Sequence, residues 1–253
     1  MRLFGVASED VQSRLPSTYN SLQVSWNRRF ATGFTVMGSY VYANSMDIAS
    51  NDGNSGLGNQ ASNPFNIKKD YGRSDFDVRN RFTTSFVYQI PSPVKSNSFA
   101  KALIGGWQVN GILTLQSGLP FTVLAGVDRS LAGVNLDHAD VNGSVAVYND
   151  KSHVEETAKY FNTSAFSLPA LGTFGTSGRN ILRAPGYANF DAGLFKNITL
   201  HEDKRLELRW EAFNSLNHPN FLAPNNSFTS SAFGRITSTS RGRVMQIAAK
   251  IVF

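Results

Sequence analysis

The chain has 253 residues, of which 41% are hydrophobic and 17% charged, with a net charge of +6 and no cysteine. Without a thiol there is no disulfide, thiolate metal centre or cysteine nucleophile, and no run approaches the ~18 consecutive apolar residues of a membrane helix. The basic residues are scattered rather than clustered, so the charge does not describe a nucleic-acid footprint and no nucleic-acid partner is expected.

The opening Met1-Arg2-Leu3-Phe4-Gly5-Val6 has no sustained apolar core and no small-residue cleavage site after it. The chain is therefore expected to be the carboxyl-terminal part of a longer protein. Residues 1–18 would be a loop remnant and 19–253 the structured part. Seven segments then show strand periodicity. Residues 20–30 place Leu22, Val24 and Trp26 opposite Gln23, Ser25 and Asn27, and residues 33–43 carry Phe34, Val36, Tyr40 and Tyr42. Residues 76–90 set Phe76, Val78, Phe82, Phe86, Tyr88 and Ile90 against Asp77, Arg79, Arg81, Thr83, Ser85 and Gln89. Residues 106–117 set Trp107, Val109, Leu113 and Leu115 against Gln108, Asn110, Thr114 and Gln116. Residues 187–200 alternate Phe190, Ala192, Leu194 and Ile198 with Asn189, Asp191, Asn197 and Thr199. Residues 205–214 alternate Leu206, Leu208, Trp210 and Ala212 with Glu207, Arg209 and Glu211, and the last strand closes the chain. Period two over about ten residues, so often repeated, predicts an all-β, antiparallel sheet with one wet face.

Short or moderate connections (Arg29 to Thr32, Pro91 to Gly105, His201 to Lys204) alternate with long ones (44–75, 118–186, 215–241) rich in Gly, Asn, Ser and Asp. A soluble β-sandwich explains the alternating side chains but not this asymmetry. A transmembrane β-barrel requires it, with tight turns on the periplasmic side and long loops outside. Charges obey the same division. At the apolar parity only Arg28, Lys196 and Arg243 are charged, all near strand ends where a long side chain can snorkel. Arg or Lys there at mid-membrane costs about 2–4 kcal/mol. Arg79, Arg81, Asp191, Glu207, Arg209 and Glu211 fall on the opposite face, with Asp77 beside them. These seven are the candidate lumen-facing residues, to contact a plug or a passing ligand or to pair with one another as a cross-strand ladder. Trp26, Phe34, Tyr88, Trp107 and Phe253 gather at the periplasmic ends, as an interfacial aromatic girdle does.

The last eight residues, Gln246 to Phe253, resemble the terminal assembly signal of bacterial outer-membrane barrels. Gln246, Ile251 and Phe253 fit it, while Ala248 stands where glycine is usual. Longer stretches resemble Oar-like TonB-dependent receptors of the acidobacterial type. These are Phe161-Asn162-Thr163-Ser164-Ala165-Phe166, the run from Gly172 to Gly186, Asn189-Phe190-Asp191 and Leu194-Phe195-Lys196-Asn197. The run from Glu211 to Phe221, Phe233-Gly234-Arg235-Ile236, Asp77 to Phe82 and Gly105 to Gly111 are similar too. The resemblance implies about seven strands of a wider barrel, of about 22 strands, in the bacterial outer membrane. It implies uptake of a bulky ligand such as a siderophore or oligosaccharide. The implied partners are outer-membrane lipid, a plug and upstream strands absent from these residues, TonB acting through an amino-terminal part, and the barrel-assembly machinery. A small self-standing barrel, acting as an adhesin or structural protein, is the alternative.

No catalytic function and no cofactor are expected. His138, His153, His201 and His218 fit no metal-ligand spacing. Asp137-His138-Ala139-Asp140 and Asp52-Gly53-Asn54 offer oxygen ligands for calcium but lack the full acidic loop pattern, and solvated turns are the simpler reading. Gly53, Gly56 and Gly58 make no phosphate fingerprint. In the loop 118–186, Phe161, Phe166, Phe174 and Pro169 are expected to make a compact packed unit that gates the outer side.

Overall fold

Alternation with period two leaves one face of each segment apolar, and antiparallel pairing satisfies the backbone between segments. A computed structural model describes residues 16–31, 33–50, 61–92, 103–133, 136–148, 152–201 and 204–253. The seven predicted segments are seven long strands: β1 (Thr18–Arg29), β2 (Phe34–Asp47), β3 (Asn80–Gln89), β4 (Trp107–Gln116), β5 (Tyr187–His201), β6 (Lys204–Phe213) and β7 (Val244–Val252). Each pairs antiparallel with the next in chain order, giving one up-and-down sheet. The strands run from 9 to 15 residues, against the about 9–11 that cross a bilayer when tilted. No helix among the described residues is long and apolar enough to cross a membrane.

Two boundaries differ from the sequence expectation. The segment predicted over 76–90 begins pairing as a strand only at Asn80. Before it, the Asp77 carboxylate accepts the Ser45 amide at 2.8 Å and the Asp77 amide donates to the Ser74 carbonyl at 2.9 Å. A side chain thus replaces the backbone acceptor, and the chain turns instead of extending. β2 conversely runs on to Asp47, because its far end is held on both sides, by the start of β1 and by the short strand Gly72–Arg73.

Antiparallel pairing puts the end of β1 with the start of β2, the end of β3 with the start of β4, and the end of β5 with the start of β6 at one end of the sheet, and the strand ends flanking the long connections at the other, as the alternation predicts. β1 and β7 do not pair with each other, so the sheet is open rather than a closed barrel. Every residue of β1 is exposed. The buried apolar core lies in the long loops: Phe121, Val123, Ala139, Tyr160, Phe161, Ala165, Phe166, Leu182 and Ile236. The expected loop remnant falls largely on residues 1–15, which lie outside the described residues, as do Asp52-Gly53-Asn54, Gly56 and Gly58.

Candidate functional site, a two-faced wall under a cap

Register decides which side chains share a face. One row runs Phe34, Tyr88, Val109, Leu194, Trp210 and Ile247 across six consecutive strands. A parallel row near the long loops runs Tyr40, Phe82, Leu115 and Ala188. Nothing in this chain covers much of that surface, for Leu22 is 60% and Ile247 84% exposed. Within it Gly111 lies under the stacked rings of Phe86 and Phe190, whose centroids are 6.5 Å apart. Of the charged side chains at this parity, Arg28, Lys204 and Arg243 stand at strand ends, while Lys196 lies within β5, opposite Trp107 at the start of β4 and Leu208 within β6. Lys196 donates to the carbonyls of Leu103 (2.9 Å) and Gly105 and lies 5.0 Å from the Trp107 ring. Arg28 covers the Phe30 ring at 5.4 Å, Lys204 opens β6, and Arg243 precedes β7 and donates to the Ser215 carbonyl at 3.2 Å. A surface apolar at mid-height, with its charges at the margins apart from Lys196, whose ammonium is held by backbone carbonyls, suits hydrocarbon between two polar interfaces.

The opposite face carries five of the seven candidate residues. Arg81 is exposed and opposite Gln116. Asp191 accepts from the Asn214 amide and the Asn189 side chain, both at 2.8 Å. Glu207 and Arg209 form an ion pair along β6, and the guanidinium lies 5.2 Å from the Phe195 ring. Glu211 accepts from Gln246 on β7 at 2.5 Å. Asp77 and Arg79 do not join this row. Asp77 is buried before β3 and paired with Arg183, while Arg79 donates to Asn44 at 2.9 Å and covers the Tyr42 ring, both of the apolar parity. Each is drawn off by a partner in the loop or on the neighbouring strand. The face also carries apolar side chains that polar patterning alone did not reveal. Met37 and Ile112, at 47% and 48% exposure, flank Ser85 across β2, β3 and β4.

Above the wall the three long loops fold into one cap. Phe161 meets Phe121, Phe166 and Phe233 at centroid distances of 5.7, 5.8 and 5.3 Å, and Phe228 meets Phe233 at 5.3 Å. Phe161, Phe166 and Pro169 are buried as expected, whereas Phe174 is half-buried against Phe65 of the first loop. A polar seam joins the first loop to the second. Arg179 pairs with Asp47 and Asp75, and Asn180 donates to the Arg73 carbonyl and to Asp75, both at 2.6 Å. Arg183 pairs with Asp77. Each buried side-chain polar atom among the described residues has a partner, so the seam is a fastening rather than an open ligand site. His138 shows the same economy: its Nδ1 meets the Ser177 carbonyl at 2.8 Å, and burial lowers its pKa below the usual histidine value. Burial, assisted by the Glu156 carboxylate, raises the Tyr160 phenol above its usual range, and its hydroxyl donates to the Arg183 carbonyl at 3.0 Å.

Among the described residues no three His, Asp or Glu side chains cluster as metal ligands would. Asp137, one of the calcium candidates, instead accepts from the Arg129 and Ser130 amides at 2.5 and 2.6 Å. The assembly-signal residues occupy the free edge. Gln246 and Ala248 share the polar face, Ile251 faces with Leu206, and Phe253 lies past the end of β7 at 87% exposure. The part played by the third loop, through Phe221, Phe228, Phe233 and Ile236, was not legible beforehand, since those residues have no periodicity. The runs Glu211 to Phe221 and Phe233-Gly234-Arg235-Ile236 are the signals that mark it.

Residues 6–246 match the model of a family described as outer membrane beta barrel domain. No curated protein matches the chain.

Proposed function

This chain belongs to the outer membrane beta barrel domain family and to the bacterial outer membrane, and from that premise we propose that it is the wall and outer gate of a TonB-dependent receptor of the Oar-like kind. In this reading the apolar face meets lipid, the polar face lines the lumen, and the cap screens the outer mouth. A bulky ligand, of the siderophore or oligosaccharide class, passes the cap and leaves through a plug coupled to TonB. The upstream strands pair with the free edges of β1 and β7, which lipid would otherwise leave without hydrogen-bond partners.

The observation that carries the reading is the exposed apolar pair of Met37 and Ile112 on the charge-bearing face. In an open water-filled channel these side chains would stand in water, whereas against a plug they are covered, with hydrophobic burial at about 25 cal/mol per Å² favouring the contact. Arg81, Asp191, Glu207, Arg209 and Glu211 then border the plug contact, the last four held in place by their pairing on the wall. Gln246, Ala248, Ile251 and Phe253 serve recognition by the assembly machinery.

The test places a photoreactive residue at Ile112 in the native gene and irradiates isolated outer membranes. Crosslinking to a peptide outside residues 1–253, weakened when TonB is depleted, is the expected result. Complete absence of such a crosslink, with the protein correctly inserted, would leave the patch facing water. The self-standing adhesin or structural barrel would then be the better account.

A further inference from the structure

We propose that the short-turn end of β1 and β2 holds a phospholipid of the periplasmic leaflet, with its phosphate on Arg28 and one acyl chain in the groove beside Phe30. The inference depends on the sheet's orientation in the outer membrane and not on the transport reading.

The groove is lined by Phe30, Phe34, Phe86, Tyr88 and Val109. Four of these belong to the apolar face of β2, β3 and β4. The fifth, Phe30, comes from the turn between β1 and β2, a place where a large apolar side chain has no reason to be if the turn meets only water. The turn is built to hold it: the Phe30 amide donates to the Phe34 carbonyl at 2.8 Å, and the Gly33 amide to the Phe30 carbonyl at 3.3 Å. Gly33 takes φ +79°, a left-handed value that admits glycine readily. The Phe30 ring thereby folds back to 5.6 Å from Phe34 and forms one wall of the groove, yet stays 41% exposed.

Arg28 supplies the second half of the site. It is at the apolar parity, opposite Val36, and its guanidinium lies 5.4 Å from the Phe30 ring centroid. Stacking on one ring face fixes the planar group while leaving its in-plane N–H donors available, an arrangement suited to a phosphate. No carboxylate among the described residues pairs with it. The short-turn end is the periplasmic end in this family's architecture. The anion at that depth is a glycerophospholipid headgroup, with hydrocarbon running from it along the wall. Arg29, one residue on, is opposite Thr35 at the other parity and belongs to the lumen side. It is a matched control at nearly the same height.

The experiment takes the full-length protein purified from outer membranes in a mild detergent, stripped of lipid, and titrated with phosphatidylglycerol in the same detergent. Native mass spectrometry counts the lipids retained. Arg28→Gln is expected to weaken the tightest phosphatidylglycerol site roughly tenfold, the loss of one charge-assisted hydrogen-bonded contact. Phe30→Ser is expected to weaken it as well, since it removes both a wall of the groove and the ring under Arg28, and Arg29→Gln to leave it unchanged. Heat-modifiable electrophoretic mobility confirms that each variant is folded before binding is compared. Equal binding by the parent and Arg28→Gln proteins would overturn the proposal. So would an equal loss in Arg29→Gln, which would mean that only net charge attracts lipid. Competition by inorganic phosphate with no dependence on the acyl chain would also overturn it, reducing the site to a simple anion contact.

Discussion

At Gly111 and Gly38 two glycines of one apolar face carry different constraints. A Cβ on Gly111 would lie 2.7 Å from the Phe86 ring and 2.8 Å from the Phe190 ring, both held on inner strands. Gly111→Ala is therefore expected to destabilise the wall by about 1–3 kcal/mol, the usual range for overpacking, seen as a lower urea midpoint in lipid vesicles. Gly38 lies against the Trp26 ring, but Trp26 belongs to the open-edged β1 and is 38% exposed, so it has room to swing away. Gly38→Ala should cost clearly less in the same assay. Asp77 is a third special residue, 1% exposed and paired with Arg183 while it accepts the Ser45 amide. Arg183→Met removes the partner and strands a buried carboxylate, which costs about 3–5 kcal/mol. Protease cleavage within 61–79 should rise sharply in that variant, and an unchanged cleavage pattern would mean the pair carries little of the seam.

The strands were legible because a two-residue period records which face meets an apolar phase, and all seven agree with the structure to within about four residues at either end. The third strand was read too long at its start, since Phe76 and Val78 continue the alternation while the Asp77 carboxylate ends the ladder. Loop structure was legible only in part. Buried Phe161, Phe166 and Pro169 were expected from their composition, but the contacts of Arg179, Asn180 and Arg183 with the first loop span more than a hundred positions and leave no local pattern. The candidate residues divide in the same way: those within β5 and β6 share the face opposite the apolar row, whereas Asp77 and Arg79, which precede β3, are held by Arg183 of the second loop and by Asn44 and Tyr42 of β2. The segment 137–140 adds a pH dependence. His138 is neutral when buried, its folded pKa lying below the unfolded value of about 6.5. Its contribution is therefore intact above that value and is lost as pH falls from there toward the lowered folded pKa, because the unfolded state binds the extra proton. Hydrogen exchange in 137–140 should quicken across that acid window, and His138→Gln should flatten the response.

Taken whole, the molecule separates a thin wall from a cap that holds its buried core. Phe161 is 0% exposed and packs against three other rings. Phe161→Ala is expected to cost about 3–5 kcal/mol, felt in the cap alone. Proteolysis of intact cells should then cut within 117–186 while the barrel keeps its heat-modifiable mobility. Loss of that mobility as well would show that wall and cap fold as one cooperative unit.

The cap's dependence on its third loop also sets an order of events in time. Tyr160 donates its amide to the Gly234 carbonyl, Ile236 donates to that of Thr157, and Phe161 rests against Phe233. These contacts join stretches that emerge some seventy residues apart, and closures over such distances come late. While earlier strands are being laid down the cap lacks these partners, and it gains them only when the hairpin of β6 and β7 brings 214–243 into place. An intermediate lacking that hairpin would leave Tyr160 and Phe161 without the cover of Gly234 and Phe233, so the core of the cap is the last part of the molecule to be sealed.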